Sequence, residues 1–559
     1  MMRLEELRKK YKNIYVFGAG LYAHFFAGLL KKVRLSRYVD AFIVTSLENN
    51  PSFIRDVPVM TLDEVQKKIS SIVIMAVDKD ISEEIEKLLK TAKYQDIVHI
   101  SALMDARDMY IARRRFSVQS NSFDVLWARV RNDLIYKYKA EKKEKYMDDI
   151  YQDELNKLRS RFHHVRILQV SILNVGPLAM SYALLQILMK RKQKDEKYIL
   201  LSYNGNRPIY SLNDKDISNR FIYNRIISSV ESVNEQTVAF WGYVIQHDKE
   251  NFITMDVLCH PSADSCLFHR ERIFHQKSNP YQSETYLHFD DNEEKMGKEI
   301  LEKNGLKQSQ YVCVFSRNNE YHEEYFQDSY TQYAYISSKR NSEIIDFLPA
   351  CELLGEYGLK CVRVGALDQR KVIGSNIVDY TNTFRDEFMD FYLMGKAKFF
   401  LGDPSGINLI PFLSNVPMGI TNNLTLIWRA DEVINHNTGK VYTIYKKWWD
   451  KRKQRYWTLS EILEFQGNYG LTGEEEIELL DSMGIEFHSN TAEEIREFAF
   501  ELNQRINGVW LEDDEMVKLR EKFWDAVNDT LQFCRDENHL LYYEPGSLFL
   551  KRNAQIFNL

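Results

Sequence analysis

Between Tyr311 and Thr421 the chain repeats one pattern that leaves few folds open. A short apolar run breaks off, several times over, into polar or glycine-rich residues. The runs are YVCVFSR, ending at Arg317 and followed by NNEYHEEYF; KCVRVGA, reaching Gly365; NIVDYTN, containing Asp379; and KAKFFLGDPSG. An apolar stretch INLIPFLSN and a further strand VPMGIT follow. Runs of this kind suit strands buried in a parallel sheet, with helices between them. The helix NSEIIDFLPACELLGEYG would place Ile344, Ile345, Leu348, Cys351 and Leu354 on one face and stop at Gly358. In open parallel sheets ligands bind outside the carboxyl ends of the strands. Asp403-Pro404-Ser405-Gly406 ends a strand and is followed at once by a predicted helix. Free backbone N–H groups and a positive helix end would then point at an anion, which implies a nucleotide or phosphate ligand.

The same alternation appears twice more. In residues 13–100, NIYVFGAG, VDAFIVTS, SIVIMAVD and DIVHIS read as strands, with helices between them and a Thr61–Glu64 capping box. From Val165, VRILQVSI is a strand that meets a turn at Asn174-Val175-Gly176-Pro177 and then a long apolar helix. YILLSYN and QTVAFWGYV read as further strands of that second sheet. Residues 102–160 are dense in charge and helix formers, and residues 458–540 read as helices, with Thr458–Glu461 and Thr491–Glu494 boxes at two starts. The expected organisation is a Rossmann-like domain at 1–101, a charged helical connector at 102–160, and a pair of α/β domains at 161–305 and 306–559.

Composition narrows the partners. A formal net charge of −6 over 559 residues argues against nucleic acid. The six cysteines form no C-x-x-C pair, as expected of buried thiols in a reducing compartment. The first residues lack an apolar signal core and no stretch reaches a membrane span, so a cytoplasmic protein is expected. The Lys/Arg clusters of the connector read first as a solvated helix face; the sharper reading is a surface for anionic lipid or an assembly partner.

Several motifs carry or fail to carry chemistry. Gly18, Gly20 and Ala23 follow a strand and open a helix as a dinucleotide fingerprint does, but the acid expected at the end of the next strand is missing. Asp40 stands instead at that strand's start. Asp78-Lys79-Asp80 imitates a metal-binding D-x-D, yet Asp80 and Glu83 read better as a helix start. Histidine spacing suggests no metal site, and there is no G-x-S-x-G elbow. Arg317 at a strand end could grip a phosphate or pair with a nearby glutamate. Arg363, Asp379 and Asp403 also fall near strand ends.

The blocks VSILNVGPLAMSYALL, FSRNNEYHEEYF, PACELLGEYGLKCVRVGA, IVDYTNTFRDEFMDFYLMGKAKFFLGDPSGINLIPFLSNVPM and YTIYKKWW resemble a family of bacterial surface-polysaccharide glycosyltransferases, over about residues 160–500. The resemblance implies a GT-B-like pair of Rossmann-type domains and sugar transfer from a nucleotide-sugar substrate to a glycan acceptor. It implies no tightly bound cofactor or metal, and leaves room for a peripheral contact with the membrane's inner face. It places Asn174 and Gly176 on the acceptor-side loop. Arg363, Gly365, Asp379, Ser405, Gly406 and Asn408 fall to the donor, with Arg363 beside Arg317 at the diphosphate. Arg317, Glu320, His322 and Asp403 are the catalytic candidates. Related sequences more often carry a His where this chain has Pro177, so that role must be supplied elsewhere. The N-terminal pattern of GAG, FIVTS and Asn50-Pro51 resembles small Rossmann-like units attached to polysaccharide-assembly enzymes. The alternatives are a sugar-nucleotide epimerase of similar fold and a noncatalytic scaffold of an assembly complex.

Overall fold

The computed structural model describes residues 2–19, 23, 26–27, 30, 36–47, 50, 52–54, 57–65, 70–77, 79–100, 122–141, 146–204, 207–210, 217–248, 252–258, 285–318, 338–366, 371–426, 441–469, 474–533 and 543–559. It divides into two compact units, Met1–Asn121 and Ser122–Leu559.

The first unit begins with helix α1 (Met2–Lys10) and builds a six-stranded sheet. Its strands are β1 (Asn13–Phe17), β2 (Ala41–Val44), β3 (Phe53–Ile54), β4 (Val57–Thr61), β5 (Ser71–Met75) and β6 (Asp96–His99). Helix α2 (Lys79–Thr91) links β5 to β6. The order is β3-β4-β2-β1-β5-β6, parallel except for the β3–β4 hairpin. Without that hairpin strand it is the doubly wound order, reversing at β1 and β5. Alternate residues of β1 feed different cores: Ile14 and Val16 go to one, Tyr15 and Phe17 to the other. Ala23, Phe26, Ala27 and Leu30 are buried at helical spacing against the first.

The second unit opens with helices α3 (Ser122–Glu141) and α4 (Tyr146–Arg161). They bury Val130, Leu134, Tyr138 and Leu155 in the unit's main core, so the described part of the charged connector, from residue 122 on, is a packed layer of this unit. Strand β7 (His164–Ser171) leads into helix α5 (Val175–Arg191), then β8 (Glu196–Asn204), the short β9 (Arg207–Pro208) and helix α6 (Arg220–Ile227). After β10 (Glu231–Ser232) comes helix α7 (Val238–Gln246), and β11 (Ile253–Val257) completes a sheet ordered β10-β8-β7-β11.

The expected strand over QTVAFWGYV is therefore a helix. Val238, Trp241, Tyr243, Val244 and Ile245 are all buried, and a helix apolar all round carries the same composition as a buried strand. Gly242 fixes its seat, since a Cβ there would lie 2.4 Å from the carbonyl oxygen of Leu134 on α3.

The third sheet holds β12 (Tyr311–Phe315), β13 (Lys360–Arg363), β14 (Ile377–Asp379), β15 (Phe399–Gly402), β16 (Met418–Asn423), β17 (Val441–Tyr445) and, after three strands of a separate sheet, β21 (Glu544–Pro545). All seven run parallel in the order β14-β13-β12-β15-β16-β17-β21. The separate sheet is antiparallel: β18 (Lys447–Asp450) lies between β19 (Arg455–Tyr456) and β20 (Ile485–His488). Both faces of the parallel sheet are covered. Tyr311, Cys313 and Phe400 join the core shared with the β7 sheet, while Val312, Val314, Phe399 and Leu401 join a second core under the C-terminal helices. That two-sided burial explains why the sequence shows continuous apolar runs.

The α/β reading stands: a pair of Rossmann-order sheets in one unit, and a third in the smaller unit before it. The helix at 344–356 differs in detail. It is a 3₁₀ turn (Ile344–Phe347) running into helix α8 (Leu348–Glu356) with Pro349 in its first turn. The change of pitch turns Ile345 out to 65% exposure and puts Phe347 in the core instead. Cys313, Cys351 and Cys361 are free and buried. No helix among the described residues is long and apolar enough to cross a membrane.

Candidate functional site

The strand order of the seven-stranded sheet reverses between β12 and β15, the kind of switch point at which open parallel sheets bind ligands. The two strand ends approach closely. A Cβ on Gly402 would sit 2.5 Å from the Phe315 carbonyl oxygen, so only glycine fits. The next residue, Asp403, donates its backbone N–H to that carbonyl at 3.1 Å.

Asp403 is fully buried and organises the switch point. Its Oδ2 accepts the backbone N–H of Arg317 at 2.9 Å and the hydroxyl of Ser342. Its Oδ1 accepts Thr421 Oγ1 at 2.9 Å and Asn422 Nδ2 at 2.8 Å. One carboxylate thus ties together the ends of β12, β15 and β16. Burial raises its pKa and the four donors oppose that rise. With both oxygens engaged, Asp403 is placed as an anchor for the backbone of Arg317, not as a base open to a substrate hydroxyl. Asn422 is held in a left-handed conformation (φ 51°) by a reciprocal pair of 2.6 Å bonds with Asn490.

Two basic residues belong to this neighbourhood: Arg317, whose backbone N–H Asp403 accepts, and Lys446, which feels the charge of Asp403. Arg317 is only 6% exposed. Lys446, just after β17, donates Nζ to the carbonyl of Asn341 at 2.7 Å. Burial pulls its pKa down to about 8, and the charge of Asp403 pulls in the opposite direction. Lys446, Ser342, Thr421 and Asn422 escaped the sequence reading. The available signal was a set of polar residues directly after apolar strands, as in VPMGITNN and YTIYKK.

The other predicted residues fall into three groups. Arg363 and Asp379 are register partners on β13 and β14 and lie 3.6 Å apart, both nearly buried. Asp379 also accepts the Val372 N–H and Asn382 Nδ2. Arg363 is therefore placed to neutralise Asp379. Gly365 (φ 135°) follows β13, its Cβ position 3.2 Å from the Phe315 ring.

Ser405, Gly406 and Asn408 lie on the other side of Asp403. The stretch after Gly406 is a 3₁₀ turn (Gly406–Asn408) and a helix of five residues (Leu409–Leu413) with Pro411 inside it. So short a helix gathers little dipole, which removes the basis for an anion site at its start. The Ser405 side chain makes no cap bond, and Asn408 Nδ2 donates to the Asp403 carbonyl at 3.2 Å. Gly406 instead meets the β7 sheet. A Cβ on Gly176 would lie 2.7 Å from Gly406 Cα, so the first turn of α5 and the 3₁₀ turn after β15 touch backbone to backbone. Asn174 is the N-cap residue of α5, and Pro177 occupies the first turn, where no donor is needed.

Glu320, His322 and Gly20 lie outside the described residues. Gly18 has φ 115°, and its Cβ position is 3.1 Å from the Ala76 carbonyl oxygen. Ala23 is buried. Asp40 accepts the Ile14 N–H at 2.8 Å and pairs with Arg8 at 2.7 Å, so it is spent on structure. Helix α2 starts at Lys79, which puts Asp80 inside its first turn. Among the described residues no group of three or more His, Cys, Asp or Glu is arranged to hold a metal.

No protein-family profile matches the chain, and no curated protein does. Solved structures do match over part of it. The glycosyl transferase family 9 protein from Veillonella parvula DSM 2008 shares 14% identity, over 47% of this chain and 81% of that one, at a TM-score of 0.29. The E. coli ADP-heptose LPS heptosyltransferase II shares 11%, over 46% and 84%, at 0.26. The iron-containing dodecameric glycosyltransferase TibC from enterotoxigenic E. coli H10407 shares 9%, over 51% and 62%, at 0.28. The chain thus spans about three fifths of TibC. Identities and TM-scores this low establish no family, so function has to be read from this chain's own side chains.

Proposed function

We propose that this chain is a metal-independent glycosyltransferase of GT-B type, moving a sugar from a nucleotide-activated donor to a surface-glycan acceptor. The observation that carries the proposal is Asp403 at the switch point of the seven-stranded sheet, holding the backbone of Arg317 and acting on the charge of Lys446, next to the first turn of α5 at Gly176. An arginine and a lysine at such a switch point are the side chains that suit a diphosphate.

In the reaction, the acceptor hydroxyl oxygen bonds to the anomeric carbon as the bond from that carbon to the diphosphate oxygen breaks. Negative charge develops on the leaving nucleoside diphosphate, and Arg317 and Lys446 stabilise it. Asp403 keeps the Arg317 backbone in place. The hydroxyl proton passes to a base, for which Glu320 and His322 remain the candidates.

Thermal-shift titration with UDP, GDP, CDP and ADP tests the reading. One of them is expected to stabilise the wild type and to fail with Arg317→Ala. No shift with any of them would overturn it. Incubation with the matching nucleotide-sugar and no acceptor separates transfer from epimerisation, because an epimerase alone would change the sugar.

A further inference from the structure

Away from the switch point, the amino-terminal edge of the β7 sheet gathers positive charge. Helix α4 ends there at Arg161 and α5 ends there at Arg191, while β7 and β8 both start there, with His164 opposite Glu196. Residues 157–166 and 190–197 together hold nine lysines and arginines against two acids, in a chain whose net charge is −6. Basic residues in the last turns of α4 and α5 complement the helix dipoles, which accounts for Arg159, Arg161, Lys190 and Arg191. It does not account for Lys192, Lys194 or Lys197 beyond the helix end.

The acids at this edge are engaged. Asp153 pairs with Lys157, Asp195 with His163, Glu231 with Lys197 and Asp256 with Arg166. Arg159, Arg161, Lys192 and Lys194 are exposed and have no carboxylate partner among the described residues. Three of them lie on aromatic rings: Arg159 over Phe252 at 5.6 Å, Arg161 over Phe162 at 5.3 Å and Lys192 over Tyr198 at 5.4 Å. A ring holds a cation in place without cancelling its charge, so the edge stays positive.

We propose that this edge docks the protein on an anionic lipid bilayer through headgroup phosphates. Charge complementarity favours a bilayer over a nucleic acid for two reasons. A plane is met at one edge, whereas a long polyanion would run on past a protein of net negative charge. Two of the three rings are also covered, Tyr198 at 4% and Phe252 at 7% exposure, so they offer no platform for stacked bases. The switch point lies at the opposite, carboxyl edge, roughly 25 Å away along the strands. Docking is therefore separable from chemistry.

The test is co-sedimentation of the full chain with vesicles of phosphatidylcholine alone and of phosphatidylcholine with phosphatidylglycerol in equal parts. The wild type is expected to bind only the anionic vesicles, less strongly as salt is raised. Each cation contributes about a fivefold gain, so the quadruple variant Arg159→Gln, Arg161→Gln, Lys192→Gln, Lys194→Gln should bind more than ~100-fold more weakly. Its unfolding temperature and its response to nucleoside diphosphates should match the wild type. A charge-matched control, Lys298→Gln, Lys303→Gln, Lys307→Gln, Lys522→Gln, removes exposed lysines elsewhere and should bind like the wild type. The proposal is overturned if wild type ignores anionic vesicles, if the control loses as much as the quadruple variant, or if an oligonucleotide binds this edge more tightly than the vesicles do.

Discussion

The first unit and the seven-stranded sheet share a strand order and differ in what they place where that order reverses. In the first unit the described residues at the ends of β1 and β5 are Gly18, Ala19, Ala76 and Val77, without a charge among them. The nearby acid, Asp40, is committed to Arg8 and the Ile14 N–H. In the seven-stranded sheet the corresponding ends carry Arg317 and Asp403, with Lys446 beside them. Strand order supplies a switch point in both sheets. Among the described residues a charged, hydrogen-bonded set of side chains is found only in the second, although the first has the better-known glycine pattern.

The sharpest way to break this contrast is to remove the acid from each. Asp403→Ala leaves the donors of Arg317, Ser342, Thr421 and Asn422 without their acceptor in a buried site, and should cost about 3–5 kcal/mol. Asp40→Ala frees a half-exposed pair and one backbone donor, and should cost about 1 kcal/mol. Chemical denaturation of both variants checks the difference; equal losses would mean that Asp403 organises nothing. Next in size is Gly176→Ala. Its methyl group would meet Gly406 backbone at 2.7 Å, where no flexible side chain can move aside. A loss of about 1–3 kcal/mol is expected. Gly406→Ala, whose nearest contact is 3.2 Å, should cost less.

Much of the frame could be read before any coordinates. Strands ended where apolar runs met polar residues, and the boxes at Thr61, Thr458 and Thr491 all form. What could not be read depended on contacts between distant segments. Arg363 looks like a phosphate ligand until β13 and β14 pair and place Asp379 beside it. The adjacent lysines of YTIYKKWW look alike, yet Lys446 turns to the Asn341 carbonyl while Lys447 binds Glu494. The apolar stretch after Gly406 suggested a full helix, but Pro411 and the left-handed Asn415 (φ 56°) leave it one short turn. The basic residues near Asp403 therefore come from remote segments, not from the helix end that local sequence advertised.

Two smaller effects test that source of charge. Arg317→Ala should weaken nucleoside diphosphate binding and lower turnover at least about tenfold, while Gly18→Ala in the first unit should leave both unchanged. Calorimetric titration of the two variants decides it. Lys446 adds a pH dependence with a definite sign. Its folded-state pKa of about 8 lies below the ordinary 10.5, so between those values the folded protein holds fewer protons than the unfolded chain. This group's contribution to stability accordingly rises with pH across that window. Ligand binding moves the other way. A diphosphate favours the ammonium form, so above pH about 8 the free enzyme must take up a proton to bind. Affinity should fall by up to about tenfold per pH unit there. In Lys446→Met the affinity should be lower at neutral pH and its slope above pH 8 should vanish. A slope that survives in this variant would place the titrating group elsewhere and remove Lys446 from the site.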